Sequence, residues 1–355
     1  MAYNIYQTKT MLGAMKQKAP VHSFLKNRYF ITDAADLFPT DEVLVEYTEE
    51  SIHEMAPVVI NGHDGITVGR DGYKTFRMEP PLVAPKSHLS EDVLRKKGFG
   101  EDVYSDMTPA QRQGQLLGQD LHKLDVMISN REEFIASKCM FENGYTLRQY
   151  ADEYGGNKFE EYVMKFYSES ANPAVYVPGV KWDGTTSDKL ADLLTMVKML
   201  TRNGNQATDV LLGADAADAI MNDEKIQKLL DINRYDIGQI APTLMQDGAA
   251  LLGILNVRGH RLNLITYDGR YKDPQTGNVV EYVPAKSICV TAPGAGRTLY
   301  GCVTQIEQSD GAFHSYMGRR VPRYWSDKKG RELRLASKPL LIPRRKNPFI
   351  SAEVL

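Results

Sequence analysis

Cysteine is scarce in this 355-residue chain: Cys139, Cys289 and Cys302 are the whole supply. None stands at metal-ligand spacing and three thiols cannot all pair, so a disulfide scaffold is excluded and reduced, buried thiols are expected. Long apolar runs are also missing. No stretch approaches the roughly 20 residues that cross a bilayer. The opening MAYNIYQTKTMLGAMKQKAP has neither an apolar core nor a small-residue cleavage site, so no secretion signal is expected. An excess of one charge is lacking too: 43 Lys and Arg against 45 Asp and Glu leave a net charge of -2. A general nucleic-acid binder would carry a clear basic balance. The remaining composition, 42% apolar and 25% charged, is that of an ordinary globular chain.

Catalytic patterns are absent as well. The seven histidines (His22, His53, His63, His88, His122, His260 and His314) include no HExxH pair and no neighbouring CxxC. His53, His63 and Asp64 flank a glycine-rich stretch and read as loop polar residues rather than a metal site. APGAGRTL, residues 292–299, lacks the GxxxxGK[ST] phosphate loop and reads as a tight turn between strands. No GxSxG elbow occurs. Asp188, Asp192, Asp215 and Asp218 are spaced as exposed helix residues. No catalytic residue, metal ligand or cofactor site is expected.

What is present is uneven in texture. Residues 1–40 read as an arm: Ile5, Leu12 and Met15 suit a short helix before Pro20, and Phe24, Leu25, Tyr29 and Phe30 need a partner surface to cover them. Residues 41–85 read as a long hairpin. EVLVEYTEE puts Val43, Val45 and Tyr47 on one side of a strand. Gly62, Gly65, Gly69 and Gly72 then supply tight turns but little core, and Pro80, Pro81 and Pro85 stop the returning strand. Two strands alone are marginal in water.

The strongest local signal begins at Thr108, an N-cap followed by Pro109, with Gln111 at the capping-box position. Leu117, Leu121, Leu124, Ile128, Ile135 and Cys139 recur at helical spacing to about Phe141, with Gly144 expected at the cap. Residues 185–300 read as a separate α/β unit. Its first helix is capped by Ser187, carries Leu190, Leu193, Leu194, Val197 and Leu200, and closes at Asn203-Gly204. DVLLG follows as a strand, then a helix from Ala214 to about Leu230, then strands turning at Asp268-Gly269 and Gly277-Asn278.

Positive charge gathers at the end. From Arg319 to Lys346 there are eleven Lys or Arg against Asp327 and Glu332. Trp325, Leu333, Leu335, Leu340, Leu341, Ile342 and Phe349 punctuate that stretch. A flexible basic tail would not carry them. Strands that pack back on the long helix, with cations turned outward to acidic surfaces of neighbouring copies, are expected.

The closing words RYW…GRELRLASKPLLIP…FISAEV, the preceding GRTLYGCVTQIEQ, and upstream APVVINGHDGI…APKSHLSEDVLRKKG resemble the lambda-like family of tailed-phage major capsid proteins. The order of segments agrees over nearly all of the chain. The resemblance implies an α+β chain with the Hong Kong 97-type capsid fold. Residues 1–40 would be the N-terminal arm and 41–90 the extended loop. Residues 91–184 would form a peripheral domain with a spine helix near 108–142, 185–300 an axial α/β domain, and 301–355 the last peripheral strands. It implies a structural, non-enzymatic subunit forming hexamers and pentamers in an icosahedral virion shell, assembled in the host cytoplasm. That shell would enclose double-stranded DNA without sequence-specific contacts or a membrane. Scaffolding, portal and decoration proteins are the implied partners. Expected assembly residues are Gly62, Gly65, Gly69 and Gly72 on the loop and Arg319, Arg320 and Arg323 on the peripheral domain. Two alternatives remain open at this point: an encapsulin-like cellular compartment shell, and an α/β enzyme housed in residues 185–300.

Overall fold

A computed structural model describes residues 23–40, 42–48, 73–89, 109–150, 158–166, 175–184, 186–227, 243–257, 259–274, 276–308, 310–327 and 330–355. Helix α1 (Phe24–Tyr29) runs directly into β1 (Phe30–Ile31). Strands β2 (Val43–Thr48) and β3 (Tyr73–Met78) pair antiparallel from Val43↔Met78 to Thr48↔Tyr73, and β4 (Lys86–Leu89) follows. These are the two arms of the expected hairpin. The glycines Gly62, Gly65, Gly69 and Gly72, like Ile5, Leu12, Met15 and the His53–His63–Asp64 group, lie outside the described residues.

Helix α2 (Pro109–Glu142) is the expected spine, 34 residues long, or roughly 50 Å at 1.5 Å per residue. Asn143 takes the left-handed position at its end (φ 54°) in place of the expected Gly144. Gly144 instead opens a ribbon, β5 (Gly144–Tyr150) with β6 (Phe159–Lys165), where an added Cβ would strike the Met164 carbonyl. Next come β7 (Val175–Tyr176), α3 (Lys189–Arg202), β8 (Asp209–Leu212) and α4 (Ala214–Met221). The cap of α3 is Asp188, which accepts from the Ala191 N–H at 3.2 Å; Ser187 sits one position too early. Helix α4 is shorter than its sequence suggests because Asn222-Asp223 interrupts it, and the Asp223 carboxylate accepts from the N–H groups of Lys225 and Ile226 to start a new turn.

Strands β9 (Thr243–Leu244), β10 (Ala249–Val257), β11 (His260–Tyr267), β12 (Arg270–Lys272), β13 (Val279–Glu281) and β14 (Ser287–Thr291) carry the chain onward. Gly277, at φ 71°, closes the β12–β13 ribbon as its turn chemistry predicts. Asp268-Gly269 instead joins strands of different sheets. The APGAG stretch is the turn into β15 (Gly296–Tyr300). The last strands are β16 (Val303–Ile306), β17 (Phe313–Tyr316), β18 (Val321–Asp327), β19 (Gly330–Ala336), β20 (Pro339–Pro343) and β21 (Ile350–Glu353).

A seven-stranded mixed sheet, in the order β7-β21-β14-β8-β11-β10-β9, is the centre of the molecule. Alternate residues of its strands enter two different cores, as a period of two requires. Val210, Leu212, Leu264, Ile288 and Val290 pack under α3 and α4. Leu211, Ile265 and Cys289 face the other way, toward Ile135, Ala136, Cys139 and Met140 of the spine. Burial on both faces explains why DVLL and SICVT are nearly continuous apolar runs. All three cysteines are buried free thiols, as expected.

The C-terminal strands do pack back on the spine. Leu333 and Leu335 of β19 cover Leu121, Leu124 and Ile128, and β20 is buried along its length in the sheet β1-β15-β20. One expected boundary does not follow the sheets. β21 pairs with β14 in the central sheet although it lies beyond residue 300, and β15 leaves that sheet to join β1 and β20.

Candidate assembly surfaces and their internal supports

Residues 23–31 are not a loose arm. Phe24, Leu25, Tyr29 and Phe30 are buried in the chain's own core, with the Phe24 ring against Tyr267 and the Phe30 ring stacked on Phe349. The expectation that they await a partner is therefore corrected. Three acidic groups hold the segment down. Glu133 of the spine accepts the Leu25 and Lys26 N–H groups at 2.7 and 3.0 Å. Glu132 pairs with the Lys26 ammonium. Asp209, at the start of β8, takes the Arg28 Nε at 2.6 Å and also accepts from Asn263.

Arg320 belongs to the same internal system. Its Nη1 and Nη2 grip the two Glu132 oxygens at 2.7 and 2.9 Å, and its Nε reaches Asp125 at 2.8 Å. Ser129 accepts from Nη2 at 3.2 Å, and Tyr300 donates to Glu132 at 3.1 Å. Asp125, Ser129 and Glu132 are four and three residues apart, so one helix face offers a ready-made guanidinium seat. Arg320 was expected to meet carboxylates on an adjacent copy; the structure turns it inward and pairs it within the chain.

Burial weighs on Glu132, Glu133 and Arg320 alike, and the charged partners decide which way each one moves. Burial acts to raise the Glu132 carboxyl, but Arg320 and Lys26 overcome it and hold the group at about 2. At Glu133 burial prevails over its hydrogen-bond donors and pushes the carboxyl up to about 7. The Arg320 guanidinium loses by burial and regains more from Glu132, ending above its ordinary range. These groups fix the frame.

The outer surfaces differ. Arg319 is exposed, with its Nη2 3.5 Å from the Thr32 carbonyl. Arg323 is half-buried and stacks over the Trp325 ring at 4.9 Å. Of the three arginines expected to act together, only these two remain on the surface. Four ribbons of two strands each stand on the described molecule: β2–β3, β5–β6, β12–β13 and β16–β17. Three of them show large apolar side chains to solvent. Phe313 is 75% exposed on β17, with Met317 just beyond it, Val279 is 66% exposed on β13, and Val163 is 57% exposed on β6. Single exposed apolar residues are ordinary on a monomer, but several concentrated on thin ribbons are surfaces suited to contact. No helix among the described residues is long and apolar enough to cross a membrane.

The comparisons agree with this architecture. A prophage protein of Escherichia coli, provisionally assigned as its capsid protein, superposes with a TM-score of 0.63 at 15% identity, covering 98% of this chain and 99% of its own. A phage-related protein of Bordetella bronchiseptica gives 0.51 at 8% identity, over 95% and 94%. The encapsulin of Synechococcus elongatus gives 0.44 at 11% identity, over 97% and 95%, too loose a fit to weigh for the compartment alternative. No curated protein matches the sequence. The sequence itself matches the family described as phage major capsid protein E over residues 7–354, with the α+β, Hong Kong 97-type architecture expected of it, and so the chain belongs to that family of phage capsid subunits.

Proposed function

We propose that this subunit closes into pentamers and hexamers and that these build an icosahedral head around double-stranded DNA. The reading is supported by one observation above the others: the family match spans residues 7–354, nearly the whole chain. Thin ribbons with exposed Phe313, Val279 and Val163 add to it, since a copy of the same chain is the cover available in a homo-oligomer. Residues 1–22 then act as the arm and the distal part of the β2–β3 hairpin as the extended loop. The spine with β18, β19 and β4 acts as the peripheral domain, and the seven-stranded sheet as the axial domain. Gly62, Gly65, Gly69 and Gly72 permit close approach at the loop tip, and Arg319 joins contacts at the rim. The subunit performs no catalysis. Many weak contacts repeated around rings sum to a stable shell. A near-neutral chain encloses DNA without gripping it, because phosphate contacts accumulate into salt-sensitive, non-specific binding. Scaffolding, portal and decoration proteins complete the particle, which assembles in the host cytoplasm.

Electron microscopy of the purified full chain, alone and with a scaffolding partner, tests this reading. Uniform closed shells are the expected result. A stable monomer under both conditions would overturn it.

A further inference from the structure

The outer face of the three-stranded sheet β18-β19-β4 carries three cations in one row. Register places Arg323 of β18 opposite Arg334 of β19, and Arg334 opposite Lys86 of β4. Directly opposed like charges destabilise a sheet, so the row works against folding unless something else compensates. Among the described residues, the two arginines lack the usual compensation by a carboxylate. Arg323 and Arg334 are both half-buried, and the Nε of each is covered from solvent without a hydrogen-bond partner. Among the described residues Arg334 makes one polar contact, from Nη2 to the Gln305 side-chain oxygen at 3.3 Å; the guanidinium of Arg323 rests on Trp325. Neither pairs with a carboxylate among the described residues. Burial, and then the facing Arg323, depress the Arg334 guanidinium below its ordinary value.

Of the neighbouring acids among the described residues, Glu307 is engaged elsewhere and Glu332 already partners the Lys86 end of the row. Glu307 on the β16–β17 side accepts from Gln305 and Tyr316 at 3.0 Å each. Glu332, next along β19 on the same face, binds His88 Nδ1 at 2.8 Å and lies 3.8 Å from the exposed Lys86 ammonium. Among the described residues, three cations thus face one carboxylate, and neither guanidinium fork is saturated by hydrogen bonds.

We infer that Arg323, Arg334 and Lys86 form a receptor for one or two carboxylate side chains of a second copy of this chain. The inference rests on the shell reading above and assigns a partner to one of its surfaces. Two observations favour a second copy over a nucleic acid. First, the basic end of the chain leaves 32 Lys and Arg against 43 Asp and Glu in the rest, so every copy carries an acidic body complementary to this row. Second, the row is short and is bordered by Glu332, which admits a side-chain-sized anion but repels a continuous phosphate ladder. A carboxylate seated there meets half-desolvated donors, where a charge-assisted bond is stronger than at an open surface.

The full-length double variant Arg323→Gln/Arg334→Gln tests the site with two readouts. Removing opposed charges leaves the melting temperature of the unassembled subunit unchanged or raises it by about 1–3 °C. Removing the receptor lowers the yield of closed shells about tenfold, because the loss repeats at every contact. Equal shell yields from variant and wild type would overturn the inference while leaving the shell reading intact; failure of the wild type to form shells would count against the shell reading itself. If the double variant does not fold, Lys86→Gln at an exposed position serves instead: a reduced yield supports the receptor and an unchanged yield contradicts it. A fluorescent DNA duplex is the competing probe. No change in its affinity between wild type and variant supports a protein partner. Binding that weakens in the variant with a shallower salt dependence would identify nucleic acid as the occupant and overturn the assignment.

Discussion

Glu132 and Glu133 are consecutive, both buried on the spine, and titrate in opposite directions. The Glu132 value falls from 4.5 to about 2, so its contribution is present above pH 4.5 and is lost as pH drops toward 2. The Glu133 value rises from 4.5 to about 7. The folded chain then binds the extra proton between those values, and stability declines as pH climbs through that window. The size of each effect is about 3 kcal/mol at 1.36 kcal/mol per unit. Glu133→Gln is expected to flatten the pH 5–7 slope of unfolding free energy in denaturant titrations; an unaltered slope would exclude its buried proton. Arg320→Ala strands Asp125 and leaves the buried Glu132 to Lys26 and Tyr300, and should destabilise the subunit by about 3–5 kcal/mol. Arg319→Ala, on the surface next door, should stay within about 0.5 kcal/mol. Equal effects from the two in the same unfolding assay would refute the inward placement of Arg320.

Among the elements, the spine helix and the C-terminal strands each supply half of one packed seam. Leu335→Ala or Leu124→Ala opens a cavity between them and should cost about 2–5 kcal/mol, measurable by chemical unfolding. Strands β2 and β3 form the base of the expected hairpin, whose remaining residues lie outside the described ones. Val43, Val45 and Met78 are core residues, so the base cannot be removed without damage. Replacing residues 49–72 with a tight turn should therefore leave the melting temperature within a few degrees and abolish shells; an unfolded product would show that the distal segment belongs to the subunit's own core.

Much of this layout was legible because local periodicity reports local structure. Leu121, Leu124, Ile128 and Ile135 recur at helical spacing and are buried, and Leu333 and Leu335 alternate as a strand on that helix. Long-range electrostatics left no such trace. Glu132 and Arg320 lie 188 positions apart, and a charged residue on a helix ordinarily reads as solvated. The aromatic run around Phe24 and Tyr29 suggested a limb reaching outward for the same reason. Its cover comes from Tyr267 and Phe349, far away in sequence. The Arg323–Arg334–Lys86 row required strand register, which neither composition nor spacing supplies.

For the whole molecule, the account separates an internally anchored frame from surfaces left unfinished. Residues 23–31 are tied to the spine and central sheet by Glu132, Glu133 and Asp209, so strain on the preceding segment would be delivered to the frame through them. Among the described residues, the exposed apolar side chains of the ribbons and the Arg323–Arg334 pair have no comparable cover. Charge contacts between copies should weaken as salt is added, since the Debye length falls from about 10 Å at 0.1 M to about 3 Å at 1 M. Contacts made by Phe313, Val279 and Val163 should survive it. Light scattering of assembling protein across that range should therefore show slower growth with partial retention of shells. The most direct test is a high-resolution cryo-electron microscopy map of the assembled particle. The account predicts closed shells in which the two-stranded ribbons and the Arg323–Arg334–Lys86 row lie against neighbouring copies. Closed shells with those surfaces bare, or a solitary subunit that never assembles, would contradict it.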